Sequence, residues 1–440
     1  MNGSTFDGIY GQTIECGCGK THHIDPKKVI YESAALTRLH QALSECTPGR
    51  QAVLLMDSRT RDVAGKAAAG LLRDAGWQVS EIVVPDPAKG ASPVCDDHTH
   101  DWLLRQIEAV DVVLAIGSGV LSDLGKWIAF DLQVPYVCFA TAASMNGYAS
   151  ANVAPTIDDV KTLLRARPPR TVLSDPAILC EAPYELTAAG LGDILAKSVS
   201  SADWYMNHFL FGDYFCERSV SLIADIEPLY MGHPEDVHEQ RPEAIAALFH
   251  GLLLTGVSMT MAETSAPSSG AEHLVSHTLD MMSSLDGVPH DLHGRQVGIG
   301  AVLASEVYRR VVSLESPDFS RASMDFDKEF WGMFGDKIET QHASKVERLQ
   351  KAVETLSQGD SWDRLREEVK PFLRSPDQIR DCLRRASAAF RAEDIGCSPE
   401  RLLCALLHAH EIRSRFTVID LARLVGVLPQ AAAEIVEEWS

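Results

Sequence analysis

The sequence predicts an α/β N-terminal nucleotide-binding domain with an open, mostly parallel sheet over residues 1–176. An all-α C-terminal domain over 177–440 is predicted to follow. Three observations carry this. Short apolar runs alternate with amphipathic stretches between Gln51 and Phe139, the pattern of a parallel sheet covered by helices on both faces. One of those runs empties into a glycine-rich turn at Gly117. From about Ala177 onward, apolar residues recur at helical spacing and strand-like runs disappear.

At 440 residues the chain exceeds one ordinary core. Its 40 basic and 61 acidic residues give a net charge of −21, which argues against nucleic acid and anionic membrane as partners. A small anionic substrate remains compatible, because a few local donors outweigh the global field. The N-terminal stretch MNGSTFDGIYGQT has neither the basic start nor the apolar core of a signal peptide. No apolar run is expected to reach the length needed to span a bilayer. Ten scattered cysteines suit a reducing cytoplasm better than a disulfide framework.

Taken in order, Cys16-Gly-Cys18-Gly with His22 and His23 reads first as a small strand-and-turn element. A metal site is the alternative, although C-x-C is tighter than usual zinc spacing. Gln51–Met56 (QAVLLM) is a buried strand ending in Asp57. Asp57 either caps the next helix or holds ribose hydroxyls at a strand's carboxyl end. Arg59 and Arg61 nearby keep NADP open. An amphipathic helix closes at Gly76, a second strand covers Gln78 to Val84, and a helix around Asp101 to Ala109 leads to the strand Val110 to Ile116.

That strand runs into Gly117-Ser118-Gly119, with Asp123 four residues further on, and then a helix. Glycines at such a turn let backbone approach a ligand, and the helix N-terminus presents N–H groups to phosphate. The G-x-G-x-x-G fingerprint is not matched, and a plain tight turn has the same sequence. The strand Val134 to Phe139 ends in TAASMNGYAS, where Thr141, Ser144 and Ser150 serve either as cofactor donors or as turn and capping residues. Further on, His273 and His277 are four apart and share one helix face. With His293 they offer imidazoles for a divalent metal and for proton transfer. His290 reads as a surface residue. The helical half includes Pro242 to Ala262, Val297 to Leu314 and Lys345 to Leu356; Asp318 to Thr340 reads as a loop or insertion.

Together, GSGxxxD, TAASMNGYAS, GLGD at Gly190 to Asp193, EHLVSH and LHG, in this order, resemble the sn-glycerol-1-phosphate dehydrogenase family, especially its AraM-like bacterial branch. That family sits in the superfamily of dehydroquinate synthase, glycerol dehydrogenase and iron-containing alcohol dehydrogenases. The similarity runs from the CGCGKTH turn to WDRLREEVKPFLRSP and EIRSRFTVIDL near the C-terminus. It implies a dehydroquinate synthase-like fold and a divalent metal (Zn²⁺, Ni²⁺ or Fe²⁺) held by Asp193, His273 and His293.

The resemblance also implies NAD(P)(H) bound through Asp57, Gly117, Ser118, Gly119, Asp123, Thr141, Ser144 and Ser150. His277 becomes a proton carrier or substrate contact, and Lys197 a phosphate contact or an ordinary helix-face lysine. The implied reaction interconverts dihydroxyacetone phosphate and sn-glycerol 1-phosphate in a cytoplasmic homodimer. One position departs from the pattern: the family's loop carries Asp where this chain has Asn146, which keeps the hydrogen-bonding shape but cannot act as a base. An enzyme acting on another polyol or on a phospho- or phosphono-aldehyde is the alternative. The complete Asp-His-His set argues against a catalytically silent NAD-binding homologue.

Overall fold

The computed structural model describes residues 8–88, 91–158, 160–319 and 325–439. The chain divides into two compact units, residues 1–190 with 221–264 and residues 191–220 with 265–440. The chain passes between these units at three points.

The first unit opens with a hairpin of two three-residue strands, β1 (Thr13–Glu15) and β2 (Thr21–His23), around the Cys-Gly-Cys-Gly turn. Its centre is a six-stranded sheet of β3 (Lys28–Tyr31), β4 (Gln51–Met56), β5 (Gln78–Val83), β6 (Val112–Gly117), β7 (Tyr136–Ala140) and β8 (Thr171–Ser174). The spatial order is β3-β8-β7-β6-β4-β5, with every neighbouring pair parallel.

Position in the sheet explains sequence character. Every residue of the interior strands β6, β7 and β8 is buried, and β4 exposes only its first residue. These strands are accordingly near-continuous apolar runs. At the edge, β5 is mostly exposed or half-buried, and its QVSEIV sequence tolerates polar residues. Helices α1 (Leu39–Cys46), α2 (Lys66–Asp74), α3 (Asp97–Gln106) and α4 (Gly119–Asp131) belong to this unit. Gly125 lets α4 lie tightly on the sheet, since a Cβ there would come within 2.8 Å of Ala115 Cβ and the Tyr136 ring. Two short ribbons within 152–165 have no apolar run to announce them.

The helical segment after β8 includes α5 (Tyr184–Leu195), α6 (Lys197–Phe211), α7 (Pro242–Ala262), α8 (Ala271–Asp286) and α9 (His293–Ser313). By length and composition α7 is long and apolar enough to cross a membrane, with mean hydropathy 1.6, which corrects the expectation that no run reaches that length. Its apolar window is 89% buried inside the molecule, the condition of a core helix apolar on all sides. The expected loop between Asp318 and Thr340 runs partly outside the described residues, at 320–324. Its end instead enters a helix, Gly335–Ala343, anchored by buried Ile338 and His342 at i,i+4. None of the cysteines forms a disulfide.

Candidate metal centre and dinucleotide turn

In the second unit, three helix segments each contribute one donor to a cluster. Asp193 comes from the last turn of α5, His273 from the first turn of α8, and His293 opens α9. One donor atom from each lies within 4.8 Å of the other two. His273 Nε2 stands 3.4 Å from Asp193 Oδ1.

Two glycines explain how the segments come so close. A Cβ on Gly192 would sit 2.1 Å from the Gly294 carbonyl oxygen, and one on Gly300 would sit 2.4 Å from that of Glu272. The first approach joins the segments bearing Asp193 and His293, and the second joins α9 to the start of α8. Any side chain at these points would push ligand-bearing backbone apart.

Outer partners orient both imidazoles. The buried Glu272 carboxylate lies 2.7 Å from His273 Nδ1 through Oε1, which also accepts the Gly270 N–H at 2.7 Å. A carboxylate behind an imidazole fixes its tautomer and raises its basicity as a ligand. His293 Nδ1 lies 3.2 Å from Ser276 Oγ, and Ser276 Oγ accepts from Gln296 Nε2 at 3.1 Å. Gln296 Nε2 also donates to Asp280 Oδ1 at 2.8 Å.

Behind Glu272 sits a second buried acid, Asp203, accepting from Tyr308 at 2.6 Å and from the Ala271 and Val418 N–H groups at 2.8 Å. Burial, with the Glu272 charge next, pushes the Asp203 carboxyl up to about 8. Burial opposes a proton on His273, but hydrogen bonds and charge from Asp193 and Glu272 prevail and hold its pKa at about 9. A pocket that retains a proton this firmly attracts positive charge. Two nitrogen donors, one carboxylate and carboxylate backing fit a divalent transition metal.

The His277 ring lies 5.9 Å from His273 and 5.4 Å from His293 between centroids, nearly parallel to the latter. Lys197 is buried, contrary to a solvated helix-face lysine, and donates to the Pro267 carbonyl at 3.2 Å beside Ser200. His290 is half exposed and pairs with Asp280 at 3.2 Å.

In the first unit, Gly117 ends β6, Ser118 precedes α4 and Gly119 begins it. At Gly117 a Cβ would meet the Leu121 side chain at 2.3 Å. Asp57 sits at the end of β4 and caps the next turn, accepting Thr60 N–H at 2.7 Å and pairing with Arg59 at 2.9 Å. Asp123 pairs at 3.1 Å with fully buried Lys126, which also donates to the Gly147 and Asn152 carbonyls, each at 2.8 Å. The Ser150 hydroxyl lies at 3.4 Å from the same ammonium and donates to Gly147 O at 3.1 Å. Asp123 and Ser150 thus help fasten residues 147–154 to α4. The Thr141 N–H donates to Gly117 O at 3.2 Å, which ties the two turns together. Ser144 Oγ lies 3.2 Å from the Tyr148 hydroxyl, and Asn146 is buried on the same loop.

Residues 30–183 match the family described as iron-containing alcohol dehydrogenase. The glycerol-1-phosphate dehydrogenase [NAD(P)+] of Bacillus subtilis (strain 168) is 28% identical over 365 residues, 83% of each chain. The enzyme of that name from Thermococcus kodakarensis is 27% identical, covering 88% of this chain and 89% of its own. The chain is thus similar to glycerol-1-phosphate dehydrogenases over most of its length. Its fold is that of the dehydroquinate synthase-like glycerol and alcohol dehydrogenases. Glycerol dehydrogenase from Schizosaccharomyces pombe superposes with a TM-score of 0.62 at 15% identity, over 94% of this chain and 90% of its own. A 1,3-propanediol oxidoreductase gives 0.60 at 17%, over 95% and 100%.

Glu272, Asp203, Ser276 and Lys126 are site-shaping residues that the sequence pattern does not single out. Glu272 had a visible signal, a carboxylate immediately before a ligand histidine. Asp203 and Lys126 had none, because a charged residue inside an amphipathic helix normally faces water.

Proposed function

We propose that the protein is a metal-dependent NAD(P)H oxidoreductase interconverting dihydroxyacetone phosphate and sn-glycerol 1-phosphate. The observation that carries this is the Asp193–His273–His293 cluster, with Glu272 behind it, in a homologue of glycerol-1-phosphate dehydrogenases. Asp193, His273 and His293 hold the ion. When bound, a divalent metal polarises the substrate carbonyl for hydride transfer from the nicotinamide.

The chain's own residues do the rest. Gly117, Ser118 and Gly119 present backbone to the dinucleotide pyrophosphate, Asp57 faces the ribose, and Thr141, Ser144, Ser150 and Asp123 shape the cofactor turn. Glu272 keeps His273 in the tautomer whose Nε2 meets the ion. His277 donates the proton that the reduced carbonyl oxygen requires. Asn146 orients a substrate hydroxyl without acting as a base, and Lys197 holds the Pro267 carbonyl close to the ligand segments. By this reading residues 1–176 serve the cofactor and, through Asn146, the substrate; residues 177–440 serve metal and substrate, and the working form is a cytoplasmic homodimer.

A second reading keeps this chemistry and exchanges the substrate for another polyol or a phospho- or phosphono-aldehyde; Asn146 favours it. Nicotinamide oxidation with dihydroxyacetone phosphate and a panel of such aldehydes, in Zn²⁺, Ni²⁺ and Fe²⁺ in turn, separates the two. His273→Ala should lower metal affinity by more than the roughly 10–100-fold typical of losing an outer partner. It should abolish turnover while NADH binding, read by fluorescence, persists. Turnover at near-normal metal content would refute the ligand set.

A further inference from the structure

We propose that the hairpin turn of the first unit, through Cys16, Cys18 and His22, is a second metal site, one that binds a thiophilic divalent cation such as Zn²⁺ and clamps the hairpin. Alternation along β1 places Ile14 and Cys16 on one face. The register opposes Ile14 to His22, and both are buried. The chain then reverses through a turn closed by the Gly19 N–H donating to the Cys16 carbonyl at 3.0 Å. Gly19 takes φ +85°, a conformation open to glycine and strained for other residues.

This reversal returns Cys18 toward the same face, where its sulfur lies 3.3 Å from His22 Nε2. One donor atom from each of the three residues lies within 4.8 Å of the others. Zinc–sulfur and zinc–nitrogen bonds of about 2.3 and 2.0–2.1 Å put neighbouring tetrahedral ligands about 3.6–3.8 Å apart, so small side-chain rotations suffice. Two thiolates and an imidazole are soft donors, unlike the Asp-His-His set, and select a different range of metals. The clamp also meets a structural need: two three-residue strands form their own two-stranded sheet, which is marginal in water without a staple. The fourth coordination position falls to a water or to a donor outside the turn.

The test uses the full-length chain, stripped with chelator under reducing conditions and titrated with Co²⁺. Wild type should take two equivalents, one of them with a near-ultraviolet thiolate-to-cobalt charge-transfer band. The Cys16→Ser/Cys18→Ser variant should lose that band and one equivalent, whereas His273→Ala should keep the band and lose the other. A second measurement needs no variant: stoichiometric Zn²⁺ should slow iodoacetamide alkylation of Cys16 and Cys18 at least tenfold, read by peptide mapping. Absence of the band in wild type, its persistence without the two cysteines, or equal alkylation rates with and without Zn²⁺ would overturn the site.

Discussion

The buried charges of the two units are handled in opposite ways. Around the dinucleotide turn, Lys126 has one carboxylate and two carbonyls within 3.1 Å, so its charge is met by the fold itself. Around the Asp193–His273–His293 cluster, Asp193, Glu272 and Asp203 crowd one region, and His273 and Asp203 hold their protons up to about 9 and about 8. A closed network holds backbone in place, whereas a cluster that keeps exchangeable protons is suited to the cation exchange proposed above.

The hardest test of this contrast removes the central charge of the closed network. Lys126→Met leaves the partly buried Asp123 without its ammonium and unfastens residues 147–152; loss of one partner of a buried pair costs up to about 3–5 kcal/mol. Urea denaturation should register that loss. Wild-type stability in the variant would show that the network does not close on itself.

Glu272→Gln probes the other side. It keeps the shape behind His273 but removes the charge, and metal affinity should fall about 10–100-fold, measured by competition with a chromophoric chelator. An unchanged affinity would mean that Glu272 only packs.

Proton trade gives the pH dependence a definite sign. His273 binds its proton with a pKa of about 9, and the metal must displace it. Affinity should therefore weaken by about tenfold for each pH unit below 9, if this is the one proton displaced, with proton release on binding seen by calorimetry in buffers of different ionisation enthalpy. A flat profile between about pH 6 and about 8, below that pKa, would contradict proton-for-metal exchange.

The smallest effect is expected at the rim of the dinucleotide turn. Arg59 is about half exposed where it pairs with Asp57 and Asp86. Arg59→Ala should change stability by less than about 1 kcal/mol by thermal denaturation, as for other exposed pairs. A larger loss would place this pair with the closed network.

Much of this was legible from sequence because it repeats a local rule. QAVLLM and VDVVLAI announce interior strands since both sheet faces are covered, and β4 runs over the residues predicted. Pro242 to Ala262 was legible as a helix but not in its depth of burial, because hydropathy does not distinguish a core helix from a membrane one. The Asp-His-His set was reached through ordered motifs, not spacing: 80 residues separate Asp193 from His273, and no local pattern links them.

The sequence by itself determined where the interior strands and the long helices form, which turn carries the glycines, and which residue types are available for metal and dinucleotide. These follow from periodicity and backbone preference, which act over a few residues. Only the tertiary structure decided that Glu272 and Asp203 stand behind His273, that Lys126 is a buried fastening, and that Cys18 faces His22. Those roles depend on burial and on distances across separate segments. The free energy of a charge depends on its surroundings, and those exist only once the chain has folded.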